Sequence, residues 1–358
     1  MNQKLQSVIE RIHGADSVWR QHALSHVYKL AMPRYALGRL LDVGIDLAGI
    51  QRTLDISVRR KKLFLLAGDH GVVSEGVTCQ PQSITLAAVR NFVIGGGAAI
   101  NVLSKSVKCD LVVADFGING DVSDLVAKHL VEDCKIGWGT ENLARGRAMS
   151  IAQAEESILR GVDLLEKYVE ELDLAAIGEM GIGNTTPSSA IVAAISGIDA
   201  VKLVDRGAGL AVSEIPKKIS AIRRGLARLS DNAGGIEILS QVGGFEIGGM
   251  CGVILGAAAN GKAVMIDGFI ATAAALLAMK LAPLAVDYMI LSHGSVEQGH
   301  QAAFQLLRHE PLLNLNLRLG EGSGAVLAMP LLDSACAIMT RMSTFDETAI
   351  SSEGIINK

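Results

Sequence analysis

Residues 174–188 read LAAIGEMGIGNTTPS. A short apolar run ends in the carboxylate of Glu179, crosses a glycine-rich loop and meets hydroxyl residues that open an apolar segment. This order predicts a strand, a turn and the N-terminus of a helix. Glycine lets the backbone approach a ligand, and Asn184 and Thr185 are residue types that cap the free amides of a first helical turn. Those amides and the helix dipole favour an anion, most often a phosphate.

Similar units recur on both sides of this stretch. Five apolar runs are candidate strands, most of them followed by a helical pattern: 63–67, 111–114, 174–177, 263–266 and 288–291. Strands alternating with helices imply crossover connections, so we expect an α/β fold with a parallel sheet that is buried on both faces.

Polar residues next to glycine follow these strands. They occur in six turns: Asp69-His70-Gly71, Asp115-Phe116-Gly117, Glu179-Met180-Gly181, Asp267-Gly268, Ser292-His293-Gly294 and Gly320-Glu321-Gly322. Ligands of open α/β sheets bind beyond the carboxyl ends of the strands, so we expect all six turns to converge on one crevice. Each turn taken alone is equally well explained by ordinary turn formation, because Asp and Gly are common turn residues.

The two ends of the chain have a different pattern. Residues 1–30 and 37–50 have helical spacing, with Pro33 between them, and a helical tail is expected after Pro330. We therefore predict a small helical domain formed by residues 1–60 with 331–358, and a large α/β domain formed by residues 61–330 that carries the site.

Composition narrows the functional classes. The net charge is −4 without a strong basic block, so nucleic acid is not an expected partner. The five cysteines show no metal or disulfide spacing and are expected to be buried thiols of a cytoplasmic protein. The clean apolar run 269–279 is too short to cross a membrane, so no membrane association is expected.

The motifs of several common enzyme classes are incomplete or absent in this sequence. Residues 256–262 match the start of a phosphate-binding P-loop, but Ala263 replaces the Ser or Thr that would bind Mg²⁺, and a strand follows where one should precede. No GxGxxG follows the first strand, and neither a Ser/His/Asp triad nor a three-ligand metal site is evident. His70 and His293 are candidate bases, although a structural role is the more common one for a histidine in such turns.

Two charged residues are stronger candidates for chemistry. Glu321 is flanked by glycines and follows the apolar Leu319, so burial could raise its pKa towards that of a useful general base. The alternative is that Glu321 is a turn residue exposed to solvent. Lys218 begins an amphipathic helix after a glycine-rich segment and could neutralise a phosphate, whereas exposure on the surface is the default for lysine.

The motif Gly178-Glu179-Met180-Gly181-Ile182-Gly183-Asn184-Thr185-Thr186 strongly resembles the signature of the nicotinate-nucleotide:dimethylbenzimidazole phosphoribosyltransferase (CobT) family. The likeness extends over nearly the whole chain. It includes 37–40, 69–72, 96–100, 267–269, 292–293, 318–322 and 328–330. The resemblance implies a Rossmann-like parallel sheet, a small domain made from both termini, and a dimer in which the partner helps to close the site. It also implies transfer of 5-phosphoribose from nicotinate mononucleotide to a base, giving an α-ribotide and nicotinate.

The resemblance also implies roles for individual residues. Glu321 would remove the proton of the acceptor, and Glu179 would hold the ribose or assist. The expected phosphate and ribose contacts are Gly181, Gly183, Asn184, Thr185, Gly207, Lys218, Asp267 and Ser295. Neither a cofactor nor a metal is expected, because nicotinate mononucleotide is a substrate whose nicotinate is already a cationic leaving group.

The acceptor segment departs from the family pattern. The expected acceptor pocket is formed by Thr78, Cys79, Gln80, Ala87, Ala88 and Leu319, with Gln80 in place of an aromatic residue and alanines in place of the usual Gln and Met. The acceptor could therefore be dimethylbenzimidazole, or a phenol as in heterodimeric members of the family. A non-catalytic supporting subunit and, less strongly, a nucleotide-dependent oxidoreductase remain alternatives.

Overall fold

The computed structural model describes residues 2–349 except 206, 208, 296 and 308. Its centre is a six-stranded parallel sheet with the strand order β3-β2-β1-β4-β5-β6. The strands are β1 (Lys61–Gly68), β2 (Cys109–Gly117), β3 (Glu132–Asp133), β4 (Leu174–Met180), β5 (Ala263–Ile266) and β6 (Met289–Leu291). The predicted α/β fold with a parallel sheet is confirmed.

Fourteen α-helices occur in the described part of the chain. They are α1 (Gln3–Glu10), α2 (Ser17–Val27), α3 (Arg39–Gln51), α4 (Ser83–Arg90), α5 (Ala99–Ser106), α6 (Ser123–Ala127), α7 (Ile151–Tyr168), α8 (Thr185–Ser196), α9 (Ile215–Leu226), α10 (Gly235–Val242), α11 (Phe245–Ala259), α12 (Phe269–Leu281), α13 (Gln298–Leu307) and α14 (Ser323–Arg341). Helix α11 packs against α7, and α12 packs against α8 and α11. Almost all of α11 is buried, which its continuous run of small apolar residues permits.

The central strands β1 and β5 are buried from end to end. Every residue of β1 is buried, including Lys61 and Lys62, whose amino groups reach Asp333 and Asp110. A strand covered by helices on both faces needs an uninterrupted apolar run, and that is the pattern that predicted these strands. The predicted strand at 288–291 is one residue too long, because Tyr288 ends a 3-10 helix (Pro283–Tyr288).

Two further strands, missed by the sequence patterns, form a separate parallel pair, β7 (His293–Ser295) and β8 (Leu313–Leu317). The turn that contains Glu321 follows β8, so the expectation that it follows a strand of the main sheet is wrong. The turn nevertheless lies at the same edge of the sheet, because Asp267, just after β5, accepts hydrogen bonds from the backbone of Gly322 and Ala325.

Both ends of the chain are helical over the described residues, and α3 packs against α2 and α14. The division into a small and a large domain stays a prediction, and residues 350–358 of it lie outside the described residues. Helix α14 runs through Pro330, so the proposed boundary at 330/331 falls inside a helix. Proline removes one backbone donor from the helix, but the helix continues on both sides of it.

Four of the five cysteines are buried as expected, but Cys79 is exposed, and the expectation that all five are buried is wrong. Two stretches of the described chain are long and apolar enough to cross a membrane by composition, Ser83–Ser106 and Ser323–Arg341. The second is α14, which packs on β4 and is a core helix. Buried core helices pass the same test, so these stretches are weak indicators of membrane insertion.

Candidate active site

A cavity of about 210 Å³ opens at the carboxyl ends of β4 and β5. Half of the residues predicted for the site line it: Glu179, Gly181, Asn184, Thr185, Gly207, Ser295, Leu319 and Glu321. Phe269, Ile270 and Ile182 supply apolar surface. The segments around Glu179 and Gly268 follow β4 and β5 at one edge of the parallel sheet, and the pair β7 and β8 and the loop after α8 complete the cavity there.

Glu179 lies at the end of β4 and is 6% exposed. Its carboxylate accepts a hydrogen bond from the side-chain amide of Asn184. Burial, followed by the negative charges of Asp267 and Glu246, raises the pKa of Glu179 to about 8. These surroundings favour a protonated Glu179 at neutral pH, and a positively charged ligand nearby would favour its ionised form.

This hydrogen bond corrects one sequence expectation. Asn184 occupies the N-cap position of α8, but its side chain makes no capping hydrogen bond. Its amide is directed at Glu179 instead. Thr186 donates its amide to the carbonyl of Gly183 at 3.1 Å and Pro187 has no amide proton, so the first-turn amide of α8 that could meet an anion is that of Thr185.

Glu321 faces the same cavity from a left-handed turn with φ 62°. Burial, with a contribution from the Asp267 charge, raises its pKa above the usual range of a glutamate. The neighbouring Gly320 lies against Glu179, since a Cβ added at 320 would sit 2.5 Å from Glu179 Oε1. Glu179 and Glu321 therefore share one cavity, which Glu297 also lines, and Glu321 is placed to accept a proton there.

Asp267 anchors the turn that carries Glu321. Its Oδ2 accepts the amide of Gly322 at 2.9 Å, and its Oδ1 accepts the amide of Ala325 at 3.0 Å. A buried carboxylate at the first turn of a helix satisfies free donors and opposes the helix dipole favourably. Its contact with phosphate or ribose stays a prediction; the structure adds the role of holding α14 and Glu321 in place.

Lys218 is buried in α9, where the amphipathic pattern placed it, although lysine is usually exposed. Its Nζ donates to Thr185 Oγ1 at 2.7 Å and to the carbonyl of Asp205 at 3.3 Å. Burial lowers the pKa of Lys218 to about 8. Gly207, with φ 52°, lies beside both groups: a Cβ there would sit 2.9 Å from Thr185 Oγ1 and 3.6 Å from Lys218 Nζ. A buried amine that donates to neutral oxygens at a helix N-terminus is suited to an anion.

The two loop glycines serve different contacts. A Cβ on Gly181 would clash with the carbonyl oxygen of Gly68, so only glycine fits where this loop crosses β1. Gly183 has φ 93°, and a Cβ on it would face Val73 rather than the cavity. Gly183 therefore shapes the loop. It does not line the cavity, so its contact with the ligand stays a prediction.

The sequence pattern of a phosphoribosyltransferase family matches residues 12–350 of this chain. The chain belongs to this phosphoribosyltransferase family. Two relatives named nicotinate-nucleotide–dimethylbenzimidazole phosphoribosyltransferase are similar to it. The protein of Syntrophotalea carbinolica is 46% identical, with 97% of this chain and 98% of the relative covered. That of Desulfotalea psychrophila is 44% identical, with coverage of 97% and 98%.

Two solved structures with related names are also similar to this chain. The Thermus thermophilus enzyme of the same name superposes with a TM-score of 0.89 at 38% identity, covering 94% of this chain and 99% of that one. A structure of CobT from the same organism gives a TM-score of 0.90 at 39% identity, covering 93% and 99%. The resemblance inferred from the sequence is confirmed.

The predicted acceptor residues of this phosphoribosyltransferase lie in two different places. Leu319 lines the cavity, whereas the other five precede α4 or lie on it and do not line the cavity. Cys79 and Ala87 are exposed. The segment adjoins the site through Thr85, whose hydroxyl accepts the amide of Ile182 at 3.1 Å. The acceptor assignment of the five residues stays a prediction.

Several residues around the site of the phosphoribosyltransferase escaped the sequence analysis. Glu246 is fully buried in α11 and lies 2.9 Å from His70 Nε2, beneath the glycine loop. Thr85 donates to Asp69 at 2.7 Å while it receives the amide of Ile182. A single acid in the otherwise apolar sequence of α11 was the available signal for Glu246. His70 does not line the cavity, which favours the structural role over that of a base, whereas His293 does line it.

A larger cavity, of about 500 Å³, lies at the opposite edge of the sheet between residues 55–59 and the last turns of α14. None of the predicted site residues lines it. The chemistry of the lining residues, rather than cavity size, therefore identifies the active site of the phosphoribosyltransferase.

Proposed function

We propose that this enzyme transfers 5-phosphoribose from nicotinate mononucleotide to a cobamide lower-ligand base, releasing nicotinate and forming an α-ribotide. One observation carries the proposal: Glu179 and Glu321 line the same cavity as Thr185 and Gly207, and Lys218 donates to Thr185 from behind that wall. An anion site and a proton acceptor then surround one space. The names of the related enzymes supply the substrates.

The chain's residues account for each part of such a reaction. The phosphate of the donor would bind at Lys218 and at the hydroxyl and amide of Thr185, at the start of α8. The bond between C1′ and the nicotinate nitrogen breaks with its electron pair going to nicotinate, and a nitrogen or oxygen of the acceptor forms the new bond on the opposite face. Glu321 takes the acceptor's proton. Carboxylates near C1′ stabilise the positive charge that develops on the ribose.

The cationic nicotinate ring also explains why a carboxyl with a raised pKa is useful. With its own neighbours alone, Glu179 is protonated up to about pH 8. A bound pyridinium favours the ionised form, because an opposite charge lowers the pKa of a carboxyl. Donor binding therefore creates the negative charge that the transition state needs.

The acceptor is a benzimidazole or a phenol in this proposal. To decide, the purified protein is incubated with nicotinate mononucleotide and dimethylbenzimidazole, adenine, phenol or p-cresol, and nicotinate release is measured. Release that depends on one of these acceptors and is lost in Glu321→Gln supports the proposal. Absence of release with every acceptor, with and without a paralogous partner, contradicts it. A supporting subunit would retain the activity of its complex after Glu321→Gln; the relatives give that alternative no support.

We further propose that the enzyme acts as a dimer in the cytoplasm without a cofactor. The dimer is supported by apolar surface near the acceptor segment, where Ile94 and Val102 are 61% and 60% exposed. The cytoplasmic location is supported by cysteines that lack disulfide spacing. Sedimentation at several concentrations, and activity after exhaustive dialysis against a chelator, test the dimer and the absence of a metal.

A further inference from the structure

We propose that His300 is a positioning residue for the donor phosphate: it fixes Ser295 in the cavity wall and ties it to the turn after β5. This inference rests on the proposed function, because Ser295 is one of the expected phosphate contacts. His300 is fully buried in α13 and does not line the cavity. It therefore acts through Ser295 and touches no substrate itself.

The hydrogen bonds of the ring determine which nitrogen carries the proton. His300 Nδ1 lies 3.1 Å from the amide nitrogen of Ser295. A backbone amide can only donate, so Nδ1 is the unprotonated acceptor. The proton of the neutral ring is then on Nε2, which lies 2.9 Å from Thr272 Oγ1. The hydroxyl of Thr272 donates onwards to the carbonyl of Gly268 at 2.9 Å.

This chain of hydrogen bonds joins two walls of the cavity. Ser295 and Gly268 both line it, and His300 with Thr272 connects them from behind. Aromatic packing fixes the ring plane: its centroid is 4.0 Å from that of Phe304 and 6.4 Å from that of Phe269. Because the ring is held by packing and by hydrogen bonds, it holds Ser295 in a fixed position. Supporting residues of this kind keep a binding group in place.

The environment keeps His300 neutral. Burial, with the nearby His293, lowers the pKa of His300 to about 3. A protonated ring would present an N–H to the amide of Ser295 and break the contact. The buried site therefore preserves the one form of the ring that can accept from Ser295 at every pH at which the enzyme works.

Because Nδ1 of His300 already accepts the amide of Ser295, the hydroxyl of Ser295 can turn from His300 to a ligand. Ser295 Oγ lies 2.8 Å from Nδ1, which has a single lone pair and already faces the Ser295 amide. When a phosphate oxygen enters, the hydroxyl proton can rotate to it while the amide keeps Nδ1 occupied. His300 thus retains the backbone of the turn and releases the side chain to the ligand.

The test compares donors with and without a phosphate. Steady-state kinetics are measured with nicotinate mononucleotide and with nicotinate riboside for the wild type, His300→Phe and His300→Asn. Phenylalanine keeps the ring but removes the acceptor, whereas asparagine restores an acceptor near the position of Nδ1. His309→Asn, a half-buried histidine outside the cavity, is the matched control.

We expect His300→Phe to raise the KM for nicotinate mononucleotide about tenfold, equivalent to about 1.4 kcal/mol, with kcat within about twofold, and His300→Asn to recover most of that loss. With nicotinate riboside, His300→Phe should match the wild type. An equal loss with both donors, or an unchanged KM for the mononucleotide, would overturn the inference.

Binding of nicotinate mononucleotide measured by calorimetry separates this inference from the proposed function. Wild-type protein that neither binds nor cleaves the mononucleotide contradicts the proposed function. Wild-type protein that does both, with unchanged binding in His300→Phe, contradicts only the role of His300. If His300→Phe does not fold, Thr272→Val removes the acceptor for Nε2 with a smaller change, and Thr272→Ser restores it; a raised KM for the mononucleotide only in Thr272→Val supports the inference, and equal values overturn it.

Discussion

The backbone of Glu321 lies directly on Gly178: a Cβ added to Gly178 would sit 2.6 Å from the carbonyl carbon of Glu321. We therefore expect Gly178→Ala to displace the turn of Glu321 and to lower kcat about tenfold or more, since small displacements of catalytic groups are costly. Overpacking should also reduce the free energy of unfolding by about 1–3 kcal/mol. Gly146→Ala, where a Cβ has open space, is the control and should change neither quantity.

Glu321→Gln removes the proton acceptor without changing the shape of the side chain. We expect kcat to fall by about 10²–10⁴ while the KM for nicotinate mononucleotide changes little. In the wild type, kcat/KM should rise with pH through the pKa of Glu321, which burial and then Asp267 raise, because only the ionised form accepts a proton. Glu310→Gln alters an exposed carboxylate nearby and should keep full activity. A flat pH profile would contradict the assignment.

Asp267→Asn tests the anchoring of α14. An asparagine turns an amide group towards Gly322 or Ala325, whose backbone donors then lose a carboxylate oxygen. Chemical unfolding should show a loss of about 1–3 kcal/mol, and kcat should fall because Glu321 is carried by the same turn. The surface pair of Asp124 with Arg90 gives the comparison, since Asp124→Asn breaks an exposed ion pair and should have a much smaller effect. Equal effects of the two substitutions would argue against the anchor.

Lys218→Met should separate donor binding from stability. Loss of a charged hydrogen bond to phosphate corresponds to about 1.5–3 kcal/mol, so the KM for nicotinate mononucleotide should rise roughly 10- to 100-fold. The free energy of unfolding should change little, because the cost of burying the amine offsets its hydrogen bonds to Thr185 and Asp205 and its attraction to Glu297. Lys217→Met, next in sequence but exposed and paired with Glu214, should leave the KM unchanged. Calorimetry of the donor and urea unfolding measure the two effects.

Glu179 should make the ligand-free protein less stable as pH rises. Its pKa is raised from 4.5 to about 8 by burial first and then by Asp267 and Glu246, so the folded protein holds a proton that the unfolded chain has released. The stabilisation is complete below pH 4.5 and is lost as pH increases to about 8, at up to about 1.4 kcal/mol per pH unit. Glu179→Gln cannot titrate, so its stability relative to the wild type should increase over this window. Parallel urea-unfolding curves from pH 4.5 to 9 would contradict this.

Much of the fold could be predicted because it depends on local pattern. The five strands are apolar runs buried on both faces, and Glu179 lies at the end of β4 as the strand–turn order required. Lys218 lies in the predicted helix. These features follow from hydrophobic period and turn chemistry, which a single sequence displays.

Other features depend on contacts between distant residues, which no local pattern displays. The sequence around Asn184 predicts a helix cap, but its side-chain Nδ2 donates to the carboxylate of Glu179, five residues earlier, and its oxygen makes no capping hydrogen bond. The pair β7 and β8 is short and half-exposed, so it lacks the apolar run of a core strand. Asp267 is an ordinary turn residue by sequence, and its partners Gly322 and Ala325 lie more than 50 positions away.

The mounting of Glu321 on α14 and of Glu179 on β4 has a consequence for how such an enzyme diversifies. Glu179 and Glu321 are fixed by β4 and by the turn before α14, and the proposed phosphate contacts Thr185 and Lys218 by α8 and α9. The segment 78–88 precedes α4 or lies on it, and Thr85 joins it to the glycine loop. We expect substitutions in this segment to accumulate without displacing either carboxylate, so that a lineage could exchange one aromatic acceptor for another without rebuilding the groups that break the glycosidic bond.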